Sequence, residues 1–256
     1  MILLRKAPSE FEVFLLRRHR SASFMASAYV FPGGATEEGE DARTAAAREL
    51  FEEAGVLLAR DSGAQNETLQ VRSQDSLRQK VLSGTPAAAV LELAGLKWAT
   101  DGLVPWSHWI TPSVETKRFS ARFFVGELPA GQTPTFDATE TVDQVWVTAI
   151  DALTRAAELA LPPPQVRTMW ELAQYHSLQE VLAAAKKRAE EPHPIMPRLA
   201  PPLEGETGPT LLLPWDLDYN DRGTGEATPL AYKPSWAVGP SRFKFSDKEW
   251  KHFSAP

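Results

Sequence analysis

Between Asp41 and Ala54 the chain carries neither glycine nor proline. Strong helix formers fill the segment (Ala42, Ala45, Ala46, Ala47, Arg48, Glu49, Leu50, Glu52 and Glu53), and Gly55 follows where a helix ends on a left-handed residue. The pattern predicts one helix with a fixed end. Within it Glu49, Glu52 and Glu53 stand at i, i+3 and i+4, which puts three carboxylates on one face. Unpaired, they repel one another, and Arg48, four residues before Glu52, offsets only part of that. Hard oxygen donors at this density suit Mg²⁺ or Mn²⁺ better than zinc. A solvated acidic face is the competing reading of such a triplet taken alone. Just upstream, the turn Pro32-Gly33-Gly34 has so little side chain that a backbone carbonyl there can also reach an ion.

Short apolar runs surround this helix. Ile2 to Leu4 and Glu12 to Arg17, separated by the turn composition Ala7-Pro8-Ser9-Glu10, read as a hairpin. Ala28 to Phe31 reads as a strand before the turn, and Val56 to Leu58 as a strand after the helix. From about Asn66 to Leu93 the pattern is helical and polar-faced, broken at Ser83-Gly84-Thr85-Pro86, which marks an insertion between strands. Sheet patterning returns at Val104 to Ile110, Phe119 to Leu128 and Val142 to Val147. Helices are expected over Ile150 to Ala160, Gln165 to Tyr175 and Leu178 to Arg188. Beyond Glu191 the chain is proline-rich with scattered apolar pieces, notably Leu211 to Leu213 and Ser241 to Phe245.

Composition excludes several classes. The chain has no cysteine, which removes disulfides, thiolate metal sites, Fe–S clusters and a cysteine nucleophile. A formal net charge of −6 argues against a nucleic-acid binder, which needs a basic footprint. Every apolar run is broken by charge well short of the roughly 20 residues of a membrane span. Met1 to Lys6 is too short an apolar stretch for a secretory signal, so a cytoplasmic location is expected.

The stretch from Gly34 to Val56 resembles the Nudix hydrolase signature, G-x5-E-x7-R-E-U-x-E-E-x-G-U with U aliphatic, at every position. Gly34 is followed by five residues and Glu40, then by seven and Arg48-Glu49-Leu50-Phe51-Glu52-Glu53-Ala54-Gly55-Val56. Its seven fixed residues, at roughly one in fifteen each, with two aliphatic positions, put a chance match on the order of 10⁻⁹ per starting point. The resemblance implies an α/β fold, the Nudix α/β/α sandwich built on a mixed sheet. It also implies that Glu49, Glu52 and Glu53 ligate Mg²⁺ or Mn²⁺ with help from the Gly34 carbonyl. Arg48 would orient the glutamates, Glu40 would be an outer partner, and Gly55 would close the helix. The activity implied is metal-dependent hydrolysis of a pyrophosphate bond in a nucleoside diphosphate linked to another moiety. A further acid from a later loop is expected as ligand or base. Glu140 is the choice, with Asp137 and Glu115 as the alternatives.

Further along, Pro105-Trp106-Ser107-His108-Trp109-Ile110-Thr111-Pro112 and Lys117-Arg118-Phe119-Ser120-Ala121-Arg122-Phe123-Phe124 are similar to the branch containing the peroxisomal coenzyme A diphosphatases. That branch points to coenzyme A or an acyl-coenzyme A as substrate, with 3′,5′-ADP and phosphopantetheine as products. The continuous box, and the absence of the coenzyme-A motif of another branch, keep nucleotide sugars, NADH, dinucleoside polyphosphates and a non-catalytic nucleotide sensor as alternatives. Arg118 and Arg122, four apart in an expected strand, are the candidate phosphate clamp. Trp106 is the candidate base-stacking residue, with core packing its competing role. His108 could be an acid–base group or a structural histidine. The small-molecule nucleotide is the expected partner, with no nucleic acid and no membrane, and a homodimer is compatible with the family. The expected organisation is a Nudix domain over residues 1–160 with the helical insertion at about 62–98. Residues 161–256 form a helical and proline-rich extension packed on that core, its prolines lowering the entropy lost when irregular chain is held.

Overall fold

The computed structural model describes every residue except Ser9, Ser23, Phe24, 64–73, Leu203, 205–207, Lys248 and 255–256. In chain order the elements are β1 (Ile2–Lys6), β2 (Phe11–Arg18), β3 (Tyr29–Val30), α1 (Ala42–Ala54), β4 (Ala59–Asp61), α2 (Gln74–Leu82), α3 (Ala87–Leu93) and β5 (Leu96–Trp98). After a single 3₁₀ turn follow β6 (Val104–Ile110), β7 (Ser120–Glu127), β8 (Thr141–Val147), α4 (Ala149–Thr154), α5 (Pro163–Leu172) and α6 (Leu178–Arg188). The last part holds β9 (Pro194–Ile195), β10 (Arg198–Ala200), β11 (Thr210–Leu212), α7 (Tyr219–Arg222), β12 (Arg242–Ser246) and β13 (Glu249–Phe253). The chain divides into two compact units. The first takes Met1–Arg5, Glu12–Leu103 and Phe124–Trp146, and the second takes Lys6–Phe11, Val104–Phe123 and Val147–Pro256.

In the first unit α1 begins and ends where its sequence requires. Asp41 caps it by accepting from the amides of Arg43 and Thr44, and Gly55 closes it at φ 68°. The strands beside it form a mixed sheet: β2 runs antiparallel to β3 and also pairs with β8, while β1 runs parallel to β7, Ile2 opposite Val125. One stripe of α1 (Ala46, Ala47, Leu50, Ala54) packs against Leu3, Phe14, Leu16 and Phe124 from that sheet. A second stripe is set by Phe51, which packs against Leu77, Val81, Ala87 and Val90 of the inserted helices α2 and α3. Two apolar faces are thus covered, and the remaining face is the acidic one. Arg78 of α2 fixes the other end of α1, its guanidinium donating twice to the Glu52 carbonyl and once to Thr135. Two expectations are corrected in this unit. The insertion also holds a two-stranded sheet, β4 antiparallel to β5. Val56 to Leu58 form no strand, because Leu57 is paired at both its N–H and its C=O with the Gln132 side-chain amide. The expected helical stretch at 66–73, and Ser9 of the expected turn, lie outside the described residues.

In the second unit, β6 lies between β9 and the Ser120–Phe123 part of β7, and runs parallel to β9 with His108 opposite Pro194. The helix expected to end at Tyr175 stops at Leu172, and the one expected over Ile150 to Ala160 stops at Thr154. Leu178–Arg188 has the expected limits. The proline-rich tail holds more than irregular chain: β10, β11, β12 and β13 form a four-stranded antiparallel sheet. The centre of this unit is ionic and aromatic. Glu171, 6% exposed, accepts from Arg167, from Arg188 and from the indole N–H of Trp106. Arg167 lies over the rings of Trp170 and Trp215, and Arg188 over those of Trp106 and Trp236. Two buried guanidiniums share one buried carboxylate, and the tryptophan faces supply the remaining stabilisation.

Glu171→Gln would remove the carboxylate bonded to both arginines, so it is expected to destabilise the second unit by about 3–5 kcal/mol. Urea unfolding followed by tryptophan fluorescence measures this. A loss below about 1 kcal/mol would show that the aromatic rings alone hold the guanidiniums.

Candidate functional site

The acidic face of α1 lies in the first unit and is organised by one arginine. Arg48 is 5% exposed. Its Nε donates to Glu40 at 3.1 Å, its Nη2 to Glu40 at 3.0 Å and to the Ala35 carbonyl at 2.7 Å, and its Nη1 to Glu49 at 2.9 Å and Glu52 at 3.2 Å. Burial alone would lower the guanidinium pKa, but the hydrogen bond to Glu40 and the charges of Glu49 and Glu52 reverse that and hold it above its ordinary value. Arg48 therefore stays charged and fixes three carboxylates, all of them signature glutamates and two of them on the α1 face. The backbone turn before α1 is held by the same guanidinium through Ala35.

Glu53 is held differently. Its Oε2 accepts from the Gly33 amide at 2.8 Å, and the residue is 7% exposed. Burial, opposed by that amide and reinforced by the charges of Glu49 and Glu140, pushes its pKa up to about 8. Burial also raises Glu49, against the pull of Arg48 and with the push of Glu140, and it raises Glu52 against Arg48. In all three carboxyls burial is the largest cause and neighbouring carboxylates add to it, so a cation on this face would favour their ionised forms. Gly34 makes the room for this. A Cβ built there would lie 2.3 Å from Oε1 of Glu49 and 2.6 Å from its Oε2, so the missing side chain is the seat of that carboxylate.

The later loop brings Glu140 into the same electrostatic neighbourhood, since its charge is felt at both Glu49 and Glu53. Glu140 is exposed, and its backbone is tied at two points: its carbonyl accepts from the His19 amide, and its amide donates to Asp137. Asp137 also accepts from the amide and hydroxyl of Thr141. Burial would raise the Asp137 pKa, and these hydrogen bonds outweigh it and hold the carboxyl below its ordinary value. The loop clamp had no sequence signal beyond an aspartate four residues before a threonine. Glu115 belongs to the second unit.

The residues chosen as substrate contacts all lie in the second unit. Arg118 falls outside the strand expected for it, because β7 starts at Ser120. Its guanidinium donates to the Thr111 carbonyl and approaches the Met196 sulfur. Arg122 is in the strand and exposed. Trp106 is 2% exposed, with its indole N–H on Glu171 and its ring under Arg188.

The acidic face suits a divalent cation on two counts: it offers several oxygen donors, and Gly34 lets the Glu49 carboxylate seat close against the turn that carries the backbone carbonyl. Among the described residues no three acidic or imidazole side chains already form a cage. Glu49 and Glu52 are joined through Arg48, and Glu53 is turned to the Gly33 amide. Among the described residues no helix is long and apolar enough to cross a membrane.

Residues 39–172 match the family model of the NUDT19 Nudix domain. The chain is 30% identical to a putative nudix hydrolase 7 of Caenorhabditis elegans over 226 residues, covering 83% of this chain and 71% of the relative. It is 25% identical to the acyl-coenzyme A diphosphatase NUDT19 of Xenopus laevis over 240 residues, and there it spans 68% of this chain and 62% of the relative's length. Among solved structures, a NUDIX hydrolase from Alicyclobacillus acidocaldarius superposes with a TM-score of 0.59 at 25% identity, over 71% of this chain and 92% of that one.

Gly34→Ala is expected to drive the Glu49 carboxylate out of its seat into solvent. Its pKa, raised by burial, should then fall toward the ordinary glutamate value. Carboxyl ¹³C NMR titration of Glu49 in the metal-free protein reads that shift, and an unchanged Glu49 resonance would place the space elsewhere.

Proposed function

Since the chain belongs to the Nudix hydrolase family, we propose that it uses Mg²⁺ or Mn²⁺ to cleave the pyrophosphate of coenzyme A or an acyl-coenzyme A. Water adds across the P–O–P bridge, and the products, 3′,5′-ADP and (acyl-)phosphopantetheine, share the two bridge phosphates, one each. The observation that carries this reading is one helix face on which Glu49 and Glu52 are held by Arg48 and Glu53 by the Gly33 amide, all three carboxyls being raised. The name of the Xenopus relative supports the choice of substrate.

In this reading Glu49, Glu52 and Glu53, with the Gly34 carbonyl, hold the cation. When bound, it supplies positive charge against the diphosphate and acidifies water. Arg48 sets the separation of Glu49 and Glu52 and carries no part of the chemistry itself. Glu140, exposed on a loop fixed by Asp137, takes the proton from the attacking water as general base. Arg122 and Arg118 contact substrate phosphate, while Trp106, with its ring and N–H already engaged, packs within the second unit. The family acts on small nucleotides. A cytoplasmic location and a homodimer belong to the same reading, and the net charge of −6 supports the absence of nucleic acid among the partners.

Glu52→Gln and Glu53→Gln are expected to lower turnover by about 10² or more while leaving the fold intact. Assays over coenzyme A, acyl-coenzyme A, NADH, ADP-ribose and dinucleoside polyphosphates, with product identification, test the substrate. Release of 3′,5′-ADP is the expected result. Cleavage of only a different compound would reassign the substrate, and wild-type rates in both variants would overturn the site.

Metal binding carries a pH signature. With its pKa at about 8, Glu53 holds its proton in the metal-free protein at neutral pH, and a cation must displace it. Affinity for Mn²⁺ should therefore rise as pH approaches about 8 and level off above it. Calorimetry in buffers of different ionisation enthalpy should show proton release at pH near 7. Pure metal enthalpy with no buffer dependence would mean that Glu53 takes no part.

A further inference from the structure

On β6 and β7 of the second unit, His108 and Ser120, which have no role in the chemistry above, come together on the strands that carry Arg122. His108 Nε2 lies 2.8 Å from Ser120 Oγ at the protein surface. Ser120 and Arg122 are two apart in one strand and so share a face. β6 and β7 are neighbours, joined near this point by the Thr111 amide on the Phe119 carbonyl. The Arg122 guanidinium is exposed and makes no hydrogen bond or ion pair among the described residues. Arg118, four residues back, is by contrast already engaged by Thr111 and Met196.

We infer that His108, Ser120 and Arg122 form a binding site for a phosphomonoester. Arg122 supplies a fork of N–H donors that matches two oxygens of a tetrahedral oxyanion. Ser120 supplies an O–H donor for a third oxygen, and the neutral His108 ring, protonated at Nε2, donates to Ser120 Oγ and orients that hydroxyl. Burial, and then the Arg122 charge, lowers the His108 pKa, so the imidazole is neutral and the net attraction comes from Arg122. On the coenzyme A reading, on which this use of the site rests, the occupant is the 3′-phosphate. NADH, ADP-ribose and dinucleoside polyphosphates carry no such phosphomonoester, so the site selects among the candidate substrates.

The first test uses inorganic phosphate and the full-length metal-free protein. Titration at fixed pH should shift the His108 ring resonances saturably, with assignment by His108→Gln. Chloride at matched ionic strength should not do so. Arg122→Gln should weaken this binding by about tenfold or more, the equivalent of one charge-assisted hydrogen bond. No His108 response to phosphate, or an equal response in Arg122→Gln, would overturn the site whatever the enzyme cleaves. The second test compares kcat/KM for coenzyme A and 3′-dephospho-coenzyme A. The wild-type protein should favour coenzyme A by about tenfold, and Arg122→Gln should bring the ratio toward one. If phosphate binds at His108 but neither compound is hydrolysed, the site stands and the coenzyme A reading falls. Hydrolysis of both at equal rates, with no phosphate response at His108, would overturn the site and leave the coenzyme A reading standing.

Discussion

One guanidinium and one backbone amide let this chain keep three glutamates on one side of a packed helix. Two faces of α1 are covered by apolar side chains, from the sheet and from the inserted helices. That leaves Glu49, Glu52 and Glu53 confined to the third, where burial raises every one of them. Without Arg48, repulsion between them would add to the desolvation, and the helix would be favoured only with the acids protonated. Arg48 offsets enough of this to hold the geometry and leaves enough charge to attract a cation. It also reaches back to Ala35 and Glu40, so the turn and the helix that bracket the site are set by the same side chain.

The second unit solves the inverse problem. There the excess buried charge is positive, Arg167 and Arg188 against Glu171, and aromatic faces stabilise what one carboxylate cannot. His252, on the β13 strand of this unit, is pushed down to about 3 by burial and then by the Arg167 charge, so it stays neutral beside them. Tryptophans 106, 170, 215 and 236 are therefore counter-groups to arginine. Trp106 illustrates the point: its place in the sequence suits a platform for a base, yet its ring and its N–H are both committed within the unit.

Where the information is local, the sequence can be read closely. The extent of α1 and the left-handed Gly55 both depend on a few consecutive residues, and both are found, with Asp41 lying just outside the helix as its cap. Glu40, Arg48 and the glutamates are fixed by helical spacing and by one turn, which is why the bonding around Arg48 follows the motif. What fails to show depends on distant partners. Val56 to Leu58 have the composition of a strand, but a glutamine side chain 75 residues away supplies the hydrogen bonds that a neighbouring strand would have supplied. The tail's strands have only two to five residues, with prolines between them, too short for a period of two to stand out. The Asp137 clamp likewise needs the fold to bring Glu140 beside α1.

Arg78 gives the insertion a meaning that its position in the chain does not suggest. It lies outside the motif, on a helix that reads as an optional addition, yet its guanidinium closes the Glu52 carbonyl at the last turn of α1. Nη1 of the same group stands 2.9 Å from where a Cβ at Gly55 would be, so the motif's final glycine is also the space into which the insertion fits. Trimming the chain toward a minimal version would thus remove the cation that caps the helix just where two of its ligand candidates are carried. The insertion and the motif are one mechanical part, and grafting either without the other would leave the acids on an unanchored helix end.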